Sequence, residues 1–280
     1  MTALAADPRT SLAPSPDQVA SEAMVRRLNL DKPRPVGLET LVEHAALMHR
    51  TDRKYIAPVE KVRELIGEIA DTHRVLRIKD RRYTTYRTLY FDTIDFESAR
   101  AHVQRRRRRW KVRSRLYVED QLCRVEVKTK DNRGNTVKVM GISEPARYGA
   151  LTGEDRDFVA FHVNDFPEID VADLVPAVEV CYTRATLSDL GAGTRVTIDW
   201  GLTAHLEDGD VWLDDRYAMV ETKGPSSLSR VDHALHSMNV RPRGFSKYVT
   251  AVSTMIPDIA DNDVRSLQTS GVVHSRAMGF

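Results

Sequence analysis

Lys111, Arg113, Arg115 and Tyr117 alternate with Val112, Ser114, Leu116 and Val118, and a little further on Glu126, Lys128 and Lys130 alternate with Val125, Val127 and Thr129. A period of two places each set on one face of a strand. Arg184, the Arg195/Thr197/Asp199 set and the Glu221/Lys223 pair repeat the habit later in the chain. Arginine offers a bidentate fork to phosphate oxygens, and lysine a mobile point charge. Gathered from several strands into one cavity, such side chains suit a polyanion with several phosphates. Carboxylates among them, Glu126 and Glu221, could hold a divalent metal that bridges phosphate oxygens. On one strand a charged face is ordinarily just a solvated face. On five strands, like charges repel unless something anionic sits among them.

The whole-chain charge hides this concentration. Lys and Arg total 42 and Asp and Glu 40, a formal net charge of +2. Residues 101–140 hold thirteen basic and four acidic residues, a local +9, so the other 240 residues carry −7. With 280 residues, 41% of them hydrophobic, the chain can bury a sizeable core in one large domain or two small ones. Two cysteines, 14 glycines and no long heptad run exclude disulfide, collagen and coiled-coil scaffolds. No apolar stretch approaches the roughly 20 residues of a spanning helix. Residues 1–10 lack the basic-then-apolar order of a secretory signal. Cys123 and Cys181 stand alone in apolar, strand-like settings, as buried thiols do in a reducing compartment, so a cytoplasmic location is the default expectation.

The elements that must position the charged faces are mostly short strands. Residues 1–36, rich in Ala, Pro, Ser and Asp, read as a flexible N-terminal extension. Residues 38–256 read as the ordered body, and 257–280 as a C-terminal tail in which 264–267 could continue a helix. Strands are expected over 53–57, 83–92, 110–118, 122–130, 136–140, 177–186, 194–200, 203–206 and 217–222. Asp131-Asn132-Arg133-Gly134-Asn135 has the chemistry of a hairpin turn. Helices are expected over 59–70 after Pro58, and over 96–104, 154–163, 228–238 and 247–255. This pattern predicts an antiparallel α+β architecture.

The ordered pieces resemble a known family. Arg50-Thr51-Asp52-Arg53-Lys54-Tyr55, Leu89-Tyr90-Phe91-Asp92-Thr93, Lys111-Val112-Arg113-Ser114-Arg115-Leu116-Tyr117 and Val125-Glu126-Val127-Lys128 are similar to the VTC domain. Tyr182-Thr183-Arg184, Arg195-Val196-Thr197-Ile198-Asp199, Val220-Glu221-Thr222-Lys223 and Phe245-Ser246-Lys247-Tyr248 follow in the same order. The VTC domain is the polyphosphate polymerase domain of the triphosphate tunnel, or CYTH-like, superfamily. The resemblance covers residues 45–255. It implies an eight-stranded antiparallel β-barrel tunnel with flanking helices. In that tunnel ATP or polyphosphate would lie with Mn²⁺ or Mg²⁺, and the terminal phosphoryl group of ATP would pass to a growing chain. It further implies that Lys54, Arg113, Arg115, Lys128, Arg184 and Arg195 act in catalysis. Those six, with Lys138 and Lys247, would grip phosphate, and Glu221 and Glu126 would bind metal. Phosphoryl transfer suits these residue types, because it needs positioning and charge neutralisation more than a covalent nucleophile.

There is one departure. Hydrolytic tunnel enzymes carry Glu-x-Glu-x-Lys on the first strand, where this chain has Arg50, Asp52 and Lys54. Loss of the first acid argues for a polymerase-like or binding role. A triphosphate or nucleoside triphosphate hydrolase and a non-catalytic polyphosphate-binding module stay as alternatives. No SPX-like domain or membrane span accompanies the motifs, and whether a membrane-protein partner takes the polymer is left open. Five consecutive arginines, 105–109, cannot share one strand face; they read as a solvated helix end or loop, or as a basic mouth. Nucleic acid would be drawn to the same run, but no RRM or KH signature accompanies it and Trp110 is the aromatic beside it. His44, His49 and His102 lack metal spacing, His233 and His236 at i, i+3 are a weak signal, and Gly224-Pro225 reads as a turn.

Overall fold

The computed structural model describes residues 15–44, 51–166, 169–260, 262 and 264–278. The chain begins with α1 (Pro16–Arg27), β1 (Pro35–Val36) and α2 (Leu38–His44). These elements correct the expectation of a flexible extension through residue 36. Ser15 and Gln18 cap α1 reciprocally, the Ser15 hydroxyl accepting from the Gln18 N–H at 3.3 Å and the Gln18 side chain from the Ser15 N–H at 2.9 Å. Val25, Leu28 and Leu30 are then buried in the main core. Their spacing is too sparse to give a periodic signal, because two of the three lie beyond the helix end. Residues 1–14 fall outside the described part.

The body continues with β2 (Thr51–Pro58), α3 (Val59–Ile69), β3 (Arg74–Leu76), β4 (Thr84–Asp92), α4 (Glu97–Val103), β5 (Arg109–Tyr117), β6 (Leu122–Lys130) and β7 (Thr136–Ser143). After α5 (Gly153–Val163) come β8 (Val175–Asp189), β9 (Thr194–Leu206), β10 (Gly209–Leu213) and β11 (Tyr217–Gly224). Helices α6 (Arg230–Ser237), α7 (Lys247–Met255) and α8 (Arg265–Thr269) precede the last strand, β12 (Val273–Ala277). β1, β3, β10 and β12 have no counterpart among the expected strands. The expected strands 194–200 and 203–206 are one element, β9, continuous across a bulge. Gly201 sits in that bulge at φ +58, a left-handed conformation that suits glycine.

Eight strands run antiparallel in the order β2-β11-β9-β8-β4-β5-β6-β7. The fold is thus α+β around a large antiparallel sheet, with the strand number the family resemblance implies. The expected closed barrel is corrected in one respect: β2 and β7 end the path, and no ladder joins them among the described residues. The sheet curls so that residues of both end strands line one cavity.

The wall strands other than β7, whose Val137 is exposed, bury their apolar faces outward under helices. Val59, Val62, Leu65, Ile66 and Ile69 form the buried stripe of α3, which packs with α6 over β2, β8, β9 and β11. Val112, Val125 and Val127 lie in a core with Val159 and Val163 of α5. Tyr248, Val249, Ala251 and Val252 of α7 pack with β8 and β10. With outward faces fixed this way, a period of two turns the charged residues inward. No described helix is long and apolar enough to cross a membrane.

Candidate functional site

The concave face encloses a cavity of about 780 Å³, lined by fourteen Lys and Arg side chains and three acidic ones. All ten residues singled out from sequence line it. Lys54 comes from β2, Arg113 and Arg115 from β5, Glu126 and Lys128 from β6 and Lys138 from β7. Arg184 comes from β8, Arg195 from β9, Glu221 from β11 and Lys247 from α7. Lys111 and Lys223 join them from the same alternating faces. That spacing made both legible, although neither was assigned to the site. Arg243 and Ser246 also line the cavity, from an irregular segment whose sequence carries no such signal.

Glu126 is the first of two buried acidic nodes. Arg113 stands directly across the ladder from it and donates through Nε at 2.7 Å and also through Nη2. Lys138 lies 3.2 Å away and an Arg115 nitrogen 3.7 Å away. Burial would raise the pKa of Glu126, but Arg113, Arg115 and Lys138 outweigh it and hold the carboxyl well below the usual range. Arg113 also donates to the Tyr90 hydroxyl at 3.0 Å, and Arg115 to Thr88 Oγ1 at 3.2 Å.

Asp199 is the second node, and its carboxylate was not assigned to the site from sequence. It is fully buried at 0% exposure and faces Arg184 across the ladder. Arg184 donates to it twice, at 2.6 and 2.8 Å, and Lys247 adds a third bond from α7. Lys247 also sits 4.5 Å from the Tyr182 ring centroid. The next residue, Tyr248, donates to Asp92, whose carboxylate accepts from the backbone N–H groups of Thr93, Ser98 and Ala99. Helix α7 is therefore tied to β9 through Lys247 and to the end of β4 through Tyr248.

Two further cations hydrogen-bond neutral groups. Lys54 donates to the Phe245 carbonyl at 2.9 Å, and Lys111 to Ser246 Oγ at 2.9 Å. Burial, then Lys54 and Lys128, push the Lys111 ammonium well below its ordinary value. Burial lowers Lys138 to about 8 despite the attraction of Glu126. Burial, with Lys111 and Arg109 nearby, pushes His102 down to about 3, so it is neutral at pH 7. Desolvated cations crowded in this way are relieved when an anion enters.

The carboxylates fit a metal only in part. Among the described residues no three His, Cys, Asp or Glu side chains gather at one point. Glu126 is engaged by three cations. Glu221 has one cation partner within ion-pair distance, Lys223 at 2.9 Å, and the same ammonium reaches Asp52 at 3.2 Å. Against its burial, Lys223, Lys54 and Arg184 hold Glu221 at about 2. This donor set suits a divalent ion that arrives on phosphate oxygens and takes Glu221 as a protein ligand, not one held by protein alone. Arg50, part of the first-strand comparison, lies outside the described residues, as does His49.

The arginine run divides between outside and inside. Arg105, Arg106 and Arg107 are exposed in the turn after α4. Arg108 lies over the Phe166 ring at 4.7 Å, and Arg109 opens β5 and lines the cavity.

Comparison with known proteins follows this geometry. The sequence model of the VTC domain matches residues 49–256. No curated protein matches the chain. Among solved structures, similarity extends to a Hippeastrum protein titled an adenylyl cyclase with a dominant triphosphatase activity. It is 14% identical, with 76% of this chain and 99% of that one covered, at a TM-score of 0.49. A Bacillus halodurans protein titled an adenylate cyclase is also 14% identical, covering 71% and 96%, at 0.40. A Pyrococcus horikoshii protein is 11% identical, covering 71% and 94%, at 0.39. With these TM-scores below 0.5, family membership rests on the sequence match.

Proposed function

Because this chain belongs to the VTC domain family, we propose that it is a polyphosphate polymerase that uses ATP in its cationic tunnel. The observation that carries the reading is the cavity lining, fourteen basic side chains against three acidic ones. In the reaction a terminal oxygen of the polyphosphate chain attacks the γ-phosphorus of ATP. The new P–O bond forms as the β–γ bridging bond breaks, and ADP leaves with that oxygen. Positioning and charge neutralisation supply most of the catalysis in such a transfer. Arg113 and Arg115, held by Glu126 and Thr88, would grip the transferring phosphoryl group. Arg184 and Lys247, fixed by Asp199, would hold the phosphates on the opposite wall. Lys54, Lys128, Lys138 and Arg195 would neutralise the rest of the chain. A Mn²⁺ or Mg²⁺ ion carried on the phosphates and bound by Glu221 would add charge neutralisation.

The hydrolase reading is weakened at Asp52, which is paired with Lys223. Unpaired Cys123 and Cys181 fit a reducing compartment, and a cytoplasmic location goes with the use of ATP. Purified protein given labelled ATP and Mn²⁺ tests the proposal. Acid-stable polymer supports it, free phosphate supports the hydrolase, and tight polyphosphate binding without either product leaves a binding module. Arg113→Ala should lower product formation by at least about 10³-fold. Full activity in that variant would overturn the tunnel assignment.

A further inference from the structure

We infer that Arg105, Arg106 and Arg107 form an external track for an inorganic polyphosphate chain longer than the tunnel, leading to Arg109 at its mouth. The inference rests on the reading that the tunnel binds polyphosphate, and adds a second, outside site for the same ligand.

The first observation is the unspent charge of Arg106 and Arg107. With Arg105 they are exposed, and neither of the two forms an ion pair with a described residue. Arg106 holds the Gln104 side chain at 2.8 Å, a neutral partner. Consecutive like charges with so little compensation are a ready site for a polyanion.

The second is backbone strain kept in favour of charge. Helix α4 ends in a Schellman turn, in which the Arg106 N–H donates to the Ala101 carbonyl at 2.9 Å and the Arg105 N–H to the His102 carbonyl at 3.1 Å. Arg105 occupies the left-handed position of that turn at φ +55, where glycine is the usual residue. An arginine there accepts strain that glycine would relieve, and keeps its charge at the start of the row.

The third is continuity. Arg109 lies directly opposite Lys130 across the ladder, and both line the tunnel. Arg105 lines a side chamber of about 200 Å³ that shares His102, Phe245 and Ser246 with the tunnel. The cationic row therefore passes from solvent to cavity within five residues. Single-stranded RNA is the competing ligand, but its binding sites rely on exposed aromatic platforms. Here Trp110 is buried, and so is Phe166, with Arg108 lying over it.

The test compares long-chain polyphosphate with tripolyphosphate, which fits within the tunnel, in direct binding to the full chain across a salt series. Arg106→Gln/Arg107→Gln should weaken long-chain binding about tenfold and lower its salt slope by about two, with tripolyphosphate affinity within twofold of wild type. Arg105→Gln should weaken long-chain binding with tripolyphosphate affinity kept within twofold, a split that a purely structural role would not produce. Unchanged long-chain affinity in both variants would overturn the track, as would an equal loss for both ligands. Homopolymeric RNA that binds with the same arginine dependence and displaces the long chain at equal phosphate would overturn the choice of ligand. Wild-type protein that binds neither phosphate chain would instead sink the tunnel reading itself.

Discussion

Two buried carboxylates, Glu126 in the tunnel lining and Asp199 bonded to Arg184 and Lys247 of that lining, solve one problem in different ways. Each has an arginine directly across its ladder, Arg113 for one and Arg184 for the other. Glu126 then recruits Arg115 and Lys138, both from strands of the same sheet region. Asp199 recruits Lys247 from a helix 48 residues further along. The partners differ in wetness as well: Lys138 is 36% exposed and Lys247 only 10%. The Glu126 node thus organises cations within a sheet, whereas the Asp199 node also fastens α7 to the wall. Removing a buried carboxylate strands whichever partners cannot reach solvent, so the drier node should matter more to the fold.

Asp199→Asn is expected to give the largest effect, a loss of about 3–5 kcal/mol in urea unfolding, because Arg184 and Lys247 are left buried with less compensation. Glu126→Gln should cost less, about 2 kcal/mol, since Arg113 and Lys138, 21% and 36% exposed, can hydrate from the cavity and the drier Arg115 keeps its bond to Thr88. A reversed order would remove the distinction between the nodes. Coupling should follow the same division. Asp199→Asn and Lys247→Ala should be non-additive by about 1–3 kcal/mol, while Glu126→Gln and Lys247→Ala, which share no hydrogen-bond partner, should add to within about 0.5 kcal/mol.

Acid sharpens the comparison further. Both carboxyls have folded-state pKa values held below the unfolded values. Their contribution to stability is complete above the ordinary carboxylate range, about pH 5, and is lost as the pH falls through the folded values. Urea midpoints measured from pH 5 to pH 3 should therefore drop for wild type and drop less for either variant. The smallest effect belongs to Lys138, whose pKa is lowered to about 8. An entering anion favours its charged form, so binding of tripolyphosphate at pH 8 should take up about half a proton at this site. Calorimetry in buffers of different ionisation enthalpy measures the uptake, which Lys138→Gln should abolish.

The faces that meet at Glu126 were legible before folding. A period of two fixed the faces of β5 and β6, which carry Arg113, Glu126 and Lys128, while Lys138 came from the family resemblance and the pairing of Glu126 with three cations from the structure. The same logic placed Arg184, Arg195 and Glu221. Helix α1 was missed because its buried residues are sparse, and β10 and β12 because short strands in turn-rich sequence have little period of their own. The expected closure of the barrel depended on contact between β2 and β7, which lie far apart in the chain, and local pattern does not specify such a contact.

What the sequence determined by itself was the alternation of cations on antiparallel strands, since side-chain direction along a strand follows from backbone geometry alone. Only the tertiary structure decided which cations would be neutralised. That depends on partners from distant elements, such as Lys247 on Asp199 and Lys223 between Asp52 and Glu221. It depends as well on burial, which turns a row of ordinary lysines into a wall short of negative charge.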